Sequence, residues 1–121
     1  IFANRILGFI NAPALMQRLV QKFQRNSVDI MDYQRKRDAI YRILVESGFN
    51  VTKPLGAFYI FPQSPVPDDI QFVRTLQQHH ILAVPGIGFG KPGYFRLAYC
   101  VEMDVIERSE RYFRDIIPTA R

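Results

Sequence analysis

The sequence predicts an α+β fold, in which a small, mostly antiparallel sheet of about four strands is covered by helices. Apolar residues recur at helical spacing in four stretches, and short runs rich in β-branched and aromatic residues lie between them. With 121 residues, of which 48% are hydrophobic and 13% aromatic, the chain can fill one core.

The first helix is predicted to begin at Asn11, with Pro13 in its first turn, and to continue to about Asn26. Its apolar stripe consists of Leu15, Met16, Leu19, Val20 and Phe23. A stripe this apolar indicates packing against a larger body or another subunit. We therefore assign residues 1–27 to an upstream large domain and residues 28–121 to a compact small domain. The chain starts at Ile1 without a Met, and we expect it to be a piece of a longer protein.

The second helix can begin at Ser27 or Asp29, and Gly48 can end it, because glycine suits the left-handed position that follows a helix. We expect its buried stripe to be Ile30, Tyr33, Ile40, Tyr41 and Leu44. Residues 49–54 and 57–62 then predict two short strands joined through Leu55 and Gly56.

Asp68 can cap a third helix, and Glu102 can begin a final helix that continues to about Ile117. Residues 81–84 between them predict a strand, which a Gly/Pro-rich loop over residues 86–93 separates from a last, arginine-containing strand. The residues expected to face inward are Ile70, Phe72, Val73 and Leu76 in the third helix and Val105, Ile106, Ser109, Phe113 and Ile116 in the fourth.

The arginine strand is the part of the sequence that indicates a binding function. Alternation places Tyr94, Arg96 and Ala98 on one face and the set Phe95, Leu97 and Tyr99 on the other. A guanidinium among apolar neighbours loses part of its hydration and needs an anion that fits its planar donors. That anion can be Glu102 or Asp104 of the chain, or it can be the carboxylate of a small molecule. Alternatively, the side chain can reach water along its stem. Residue type alone leaves these interpretations open.

Other features argue against nucleic acid, membrane and phosphate as partners. The formal charge is +5, but the densest basic cluster, Arg35-Lys36-Arg37, is flanked by Asp32 and Asp38, which is typical of a solvated helix face. No apolar run approaches the roughly 20 residues of a membrane-spanning helix. The glycines of residues 86–90 precede a strand, whereas a phosphate-binding loop precedes a helix.

Metal binding and covalent catalysis are also disfavoured. His79 and His80 have no further ligand at metal-binding spacing, and no serine or carboxylate pair has a catalytic context. The four lysines lie where we expect them to be solvated. We therefore predict no catalytic, metal-ligating or cofactor-binding residue in this chain. Cys100, the single cysteine, is interpreted as a small buried hydrophobe, which fits a reducing, cytoplasmic compartment.

Three segments together resemble the C-terminal portion, or small domain, of the fold-type I, class I/II pyridoxal-phosphate-dependent aminotransferases. They occur in the family's order and at about its spacing. The segments are Pro54-x-Gly56-Ala57-Phe58-Tyr59-x-Phe61-Pro62, Val84-Pro85-Gly86-x-x-Phe89-Gly90 and Phe95-Arg96-Leu97-Ala98-Tyr99.

The resemblance implies that Arg96 binds the α-carboxylate of an amino acid or 2-oxo acid. It also implies that Gly56 and Phe58 lie near the substrate, although a core strand explains Phe58 equally well. Arg5 lies roughly where some members place an arginine for a distal substrate carboxylate, one residue out of register, and a solvated ion pair is the alternative. Family members bind pyridoxal 5'-phosphate through residues that precede this region, so we expect the cofactor in the full-length protein and not on this fragment.

The function implied is amino-group transfer between an amino acid and a 2-oxo acid by a full-length homodimer, the fragment being inactive alone. The small domain is expected to close over the substrate, with residues 86–93 as a pliable edge. One alternative is a pyridoxal-phosphate-dependent β-lyase of the same fold, because the residues that steer the reaction lie upstream. The other is a free-standing α+β ligand-binding module.

Overall fold

The computed structural model describes residues 12–117. In this part of the chain the α-helices are α1 (Ala14–Lys22), α2 (Ile30–Glu46), α3 (Asp69–Gln78) and α4 (Met103–Ile116). The strands are β1 (Tyr59–Ile60), β2 (Val84–Pro85) and β3 (Phe95–Ala98), and a 3-10 helix (Gly86–Phe89) follows β2. The predicted α+β class is confirmed. Asn11 and Arg5 lie outside the described residues.

The sheet is antiparallel, with β3 between β1 and β2. Tyr59 is paired with Ala98, and Val84 is paired with Arg96. The sheet has three strands in the described part of the chain, and the strand predicted over residues 49–54 is wrong. That segment meets its neighbour at one point, where the backbone N–H of Gln63 donates to the carbonyl oxygen of Asn50 over 2.9 Å. A ladder does not continue from there, and Pro54 has no N–H to extend it.

The residues predicted to begin or end the helices through local contacts are confirmed at three positions. The Asp29 carboxylate caps α2 by accepting from the N–H of Met31 at 2.9 Å, and Asp68 caps α3 by accepting from the N–H of Gln71 at 2.9 Å. Gly48, just beyond α2, has φ +90°, a conformation that glycine adopts without steric cost.

The core lies between one face of the sheet and helices α2, α3 and α4. At its centre the Phe49 ring lies 6.1 Å from the ring of Phe72 and 5.7 Å from those of Phe95 and Phe113, measured between centroids. Phe95 and Leu97 of β3 are buried, as alternation predicts. The buried apolar residues are Ile40, Ile43, Leu44, Phe49, Ile60, Phe72, Val73, Leu76, Phe95, Leu97, Tyr99, Ile106 and Phe113.

Three residues predicted to face inward are exposed instead: Ile30, Ile70 and Val105. Each lies in the first turn of its helix. The predicted buried stripe therefore starts one turn too early, because each helix meets the core only after its first turn. Ile43, which was not predicted, is buried in α2.

Cys100 is exposed, so its interpretation as a buried hydrophobe is wrong. The alternation continues past the end of β3 at Ala98: Tyr99 is buried on the core side, and Cys100 falls on the opposite face with Arg96 and Ala98.

Helix α1 contributes no buried residue to the core of the described part of the chain. Its apolar stripe, Leu15, Met16, Leu19, Val20 and Phe23, is exposed. Packing of this stripe against a larger body, and the boundary at residue 27, stay predictions. Across residues 12–117 no helix is both long enough and apolar enough to cross a bilayer.

Candidate functional site

Arg96 lies at the middle of the sheet, on the face opposite the core. Its neighbours Phe95 and Leu97 point into the core and are buried, while Arg96 itself is half-buried. Because β3 is paired on both sides, the backbone that carries this arginine is held by two strands. The sheet therefore presents one cation from a fixed position on its open face.

Two aromatic rings flank the Arg96 guanidinium. Its Cζ atom lies 4.2 Å from the centroid of the Tyr59 ring and 4.4 Å from that of the Phe89 ring. A cation over a ring face is attracted by the ring quadrupole, and this contact does not use the N–H donors. The rings therefore restrict the guanidinium while its donors remain available for an acceptor.

No carboxylate within residues 12–117 forms an ion pair with Arg96. Of the two acids considered as partners, Asp104 is paired with Arg108, with its Oδ2 3.1 Å from the guanidinium Nη2. Glu102 is the N-cap residue of α4, and it forms no ion pair with Arg96. The internal ion pair with Glu102 or Asp104 is thus wrong for this part of the chain.

Phe89 is placed by a hydrogen-bonded 3-10 turn where the sequence predicted a loop. The N–H of Gly86 donates to the carbonyl oxygen of Tyr94 at 2.7 Å, and the N–H of Lys91 donates to the carbonyl oxygen of Gly86 at 3.0 Å. Gly86 is buried, and a Cβ atom there would lie 2.7 Å from the carbonyl oxygen of Tyr94. Only glycine allows the backbone to approach this closely.

The start of the same turn is tied to helix α3. Asp69, only 4% exposed, accepts a hydrogen bond from the N–H of Ile87 at 2.8 Å through its Oδ2 atom. Asp69 is also the first residue of α3, where the helix dipole favours a negative charge. A carboxylate thus links the N-termini of two elements beside the site.

Gly56 and Phe58 lie in a turn at the edge of the site. Gly56 is exposed, and a Cβ atom there would meet nothing within 4 Å. The Phe58 ring is 41% exposed, and its centroid is 4.5 Å from that of Tyr59. Phe58 therefore lies against Tyr59, one of the two rings beside Arg96.

Tyr99 holds this turn against the sheet. Its hydroxyl donates to the carbonyl oxygen of Ala57 at 2.6 Å, and its backbone N–H donates to the carbonyl oxygen of Phe58 at 3.0 Å. Burial of the phenol raises the pKa of Tyr99 above its usual value, because the charged form would lose its hydration.

The basic cluster on α2 is paired with acids, but the predicted solvated face is only partly correct, because the side chains of Lys36 and Arg37 are 13% and 16% exposed. Lys36 Nζ lies 2.7 Å from Asp32 Oδ2, and this hydrogen bond lowers the pKa of Asp32 and raises that of Lys36. Asp38 Oδ1 lies 3.0 Å from Lys53 Nζ and 2.8 Å from Arg37 Nη2. Hydrogen bonds from Lys53 and then Arg37 lower the pKa of Asp38.

Each of the four lysines has a defined environment in the described part of the chain. Lys36 and Lys53 are used in ion pairs, Lys91 Nζ lies 4.1 Å from the centroid of the Tyr94 ring, and Lys22 is exposed at the end of α1. No group of three or more potential metal ligands occurs among residues 12–117.

Tyr59, Phe89 and Asp69 were missed by the sequence reasoning. Tyr59 could have been found from the register, because pairing with Ala98 makes it a diagonal neighbour of Arg96 on the same face. Phe89 contacts Arg96 from a turn, and Asp69 contacts Ile87 from the end of a helix. Neither contact follows from a periodic pattern in the sequence.

Comparison with known proteins identifies the family. The model of the family described as aminotransferase class I and II matches residues 6–109. A probable aspartate aminotransferase of Methanocaldococcus jannaschii is 36% identical over 90 residues, which cover 72% of this chain and 24% of that protein. An LL-diaminopimelate aminotransferase of Natranaerobius thermophilus is 40% identical over 76 residues, covering 60% of this chain and 20% of that protein.

The fold agrees with these relatives. The crystal structure of an amino transferase from Eubacterium rectale superimposes with a TM-score of 0.79 at 37% identity, over 94% of this chain and 29% of that one. The chain therefore spans roughly a quarter of the length of the relatives it matches. By sequence and by fold, this chain belongs to the class I and II aminotransferase family.

Proposed function

We propose that this chain is the C-terminal part of a pyridoxal-phosphate-dependent aminotransferase, and that Arg96 binds the α-carboxylate of the amino acid and of the 2-oxo acid. The observation that supports this is the state of the Arg96 guanidinium. It is flanked by Tyr59 and Phe89, and no carboxylate of residues 12–117 forms an ion pair with it. A substrate carboxylate would supply the missing anion.

A planar guanidinium can bind a carboxylate through two parallel, charge-assisted hydrogen bonds. Two bonds fix the orientation of the acid as well as its position, so the α-carbon is held in one geometry relative to the rest of the enzyme. Because Arg96 stands on the central strand, this orientation is defined by the sheet. The contribution of this chain to the reaction is thus binding and alignment of the substrate.

The remaining parts of the proposal concern the full-length protein. The family implies pyridoxal 5'-phosphate, and we place its binding residues, including the lysine that carries it, outside this chain. We also propose a cytoplasmic homodimer, a domain boundary near residue 27 and closure of the small domain over the substrate. Gly56, Phe58 and Arg5 are proposed to lie near the substrate.

Amino transfer is preferred over the two alternatives. The names of the relatives described above are those of aminotransferases, and this favours transfer over β-elimination. A free-standing ligand-binding module is not favoured, because the family match extends over residues 6–109.

The test is Arg96→Ala in the full-length enzyme, with Arg108→Ala on the surface of α4 as the matched control. Loss of a bidentate, charge-assisted contact is expected to lower kcat/KM for the amino acid about 10²- to 10³-fold. The control is expected to change it less than about twofold, because Arg108 is an exposed partner of an exposed acid. Equal kinetics for the two variants would refute the role of Arg96.

The reaction type needs a separate assay. The full-length enzyme is incubated with an amino acid and a 2-oxo acid, and the formation of the new amino acid is measured. A sulfur amino acid is supplied in parallel, and pyruvate and ammonia are measured. Amino transfer without pyruvate release is expected, and the reverse result would favour the β-lyase.

A further inference from the structure

We infer that Phe89 and Asp69 are positioning residues for Arg96. Phe89 holds the guanidinium in the orientation that accepts a carboxylate, and Asp69 fixes the turn that carries Phe89. The inference rests on the proposed function of Arg96 and adds two residues that act through it.

The first step concerns the Phe89 ring, which is 48% exposed and therefore contributes little to the core. Its centroid lies 4.4 Å from Arg96 Cζ and 6.1 Å from the centroid of Phe61, edge to face at 86°. Phe61 in turn stacks on Tyr94 at 5.7 Å with 9° between the ring planes. The ring is thus braced by other aromatic groups on the open face of the sheet.

The second step concerns the freedom of Arg96. An arginine side chain has many rotamers, and ordering them during binding weakens the binding. With Tyr59 at 4.2 Å and Phe89 at 4.4 Å from its Cζ atom, the guanidinium is ordered before the ligand arrives. Removing the Phe89 ring leaves Tyr59 as the one flanking ring among the described residues and restores part of that freedom.

The third step connects Phe89 to Asp69. Phe89 is the last residue of the Gly86–Phe89 helix, and Asp69 accepts from the N–H of Ile87 near its start. Without this hydrogen bond the buried Oδ2 atom of Asp69 would have lost its donor, which is energetically unfavourable. Asp69 therefore selects the backbone conformation that points Phe89 at Arg96.

The experiment on Phe89 uses the full-length enzyme and compares Phe89→Leu with Phe89→Tyr, which keeps the ring. Loss of a cation–π contact is expected to raise KM for the amino acid about five- to tenfold in Phe89→Leu, with kcat less affected. Phe89→Tyr is expected to stay within about twofold of the parent enzyme, because a tyrosine ring also attracts a cation. An unchanged KM in Phe89→Leu, together with a raised KM in Arg96→Ala, would overturn the inference and leave the proposed function standing.

The double variant Phe89→Leu/Arg96→Ala separates positioning from direct contact with the substrate. If Phe89 acts through Arg96, the double variant has the same KM as Arg96→Ala alone. If the KM of the double variant exceeds that of Arg96→Ala by the factor seen for Phe89→Leu alone, Phe89 acts independently of Arg96. This result would overturn the inference. If Arg96→Ala itself has no effect, the proposed function fails, and the inference fails with it.

The experiment on Asp69 compares Asp69→Ala with Asp69→Asn, whose amide oxygen can still accept from Ile87. KM is expected to rise in the alanine variant by about the Phe89→Leu factor and to be rescued by asparagine. Where the alanine variant is not recovered folded, as judged by its melting curve, Asp69→Ser replaces it, since the shorter side chain does not reach Ile87. A KM equal to that of the parent in the folded variant would exclude Asp69 from this role.

Discussion

The phenol hydroxyl of Tyr99 donates a 2.6 Å hydrogen bond to the carbonyl oxygen of Ala57, 42 positions earlier in the chain. Ala57 has a positive φ of 62°, which is unusual for a residue with a side chain. The hydrogen bond therefore stabilises a strained turn, and the strand that follows this turn carries Tyr59 to Arg96.

Replacing Tyr99 with phenylalanine tests that link. The ring is buried and stays packed, so the change removes chiefly the hydrogen bond. We expect the free energy of unfolding to fall by about 1 kcal/mol, the usual contribution of one such bond, with the Ala57 carbonyl left to find water. Urea unfolding of the intact protein at pH 7 measures this change. No loss of stability would show that the turn is held by its other contacts.

Tyr99 also predicts that the stability of the fold depends on pH in the alkaline range. Because burial raises the pKa of Tyr99 in the folded protein, the unfolded chain loses the phenol proton first. Stability is therefore fully present below the usual tyrosine pKa of about 10 and falls as the pH rises from there through the raised value. Unfolding of the parent and of Tyr99→Phe, compared from pH 9 to 11, should show this contribution only in the parent. Identical slopes would contradict it.

Phe49 is predicted to be a main determinant of stability. It was expected to begin a strand, whereas its ring contacts three other core rings. Phe49→Ala should lower the free energy of unfolding by about 3–5 kcal/mol, as for other buried phenylalanines. Leu55→Ala is the control, since Leu55 is 97% exposed and its truncation should cost less than about 0.5 kcal/mol. Similar melting temperatures for the two variants would show that the site repacks.

The contact between Asp38 and Lys53 predicts that the stability of the fold depends on pH in the acid range. Hydrogen bonds from Lys53 and Arg37 lower the pKa of Asp38, so the unfolded chain takes up the proton first as the pH falls. The contribution to stability is present above the usual aspartate pKa of about 4 and is lost as the pH falls through the lowered value. Asp38→Asn should weaken the acid dependence of unfolding measured between pH 6 and 2.5.

Lys53→Met removes the contact from the other side and serves as the matched variant. The change in acid dependence caused by Asp38→Asn should be smaller when Lys53 is already replaced, because the two residues then no longer interact. Strict additivity of the two changes would mean that the contact at 3.0 Å contributes nothing to folding.

Features set by residues close together in the sequence could be predicted, whereas features that need a distant partner could not. Asp68 and Gly48 act on backbone groups within a few residues, and both were interpreted correctly. Asp29, which also acts locally, was one of two candidates for the start of α2. Residues 49–54 have the composition of a strand, but a strand needs a partner. In the described part of the chain the pairing is limited to Asn50 and Gln63. Cys100 was predicted to be buried from its apolar neighbours, although alternation places it on the same exposed face as Ala98.

The site was predictable in part for the same reason. Alternation along β3 predicted that Arg96 lies on the face opposite Phe95 and Leu97. The burial of those two residues shows which face meets the core. Its flanking rings come from β1 and from the turn after β2, so finding them requires the strand register and the conformation of a buried glycine. The hydrogen bond from Ile87 to Asp69 spans 18 residues and joins two helix ends, which no periodicity encodes.

The central place of β3 in the sheet also bears on amide hydrogen exchange. Exchange from a paired strand requires that its neighbours open first, and β3 has a neighbour on each side and a fully buried phenylalanine beneath it. Its protons should be among the last to exchange, later than those of α1, from which nothing is buried in the described part of the chain. The Arg96 guanidinium is thus carried by a strand that is paired on both sides, and we expect fraying of the outer elements to leave its position unchanged.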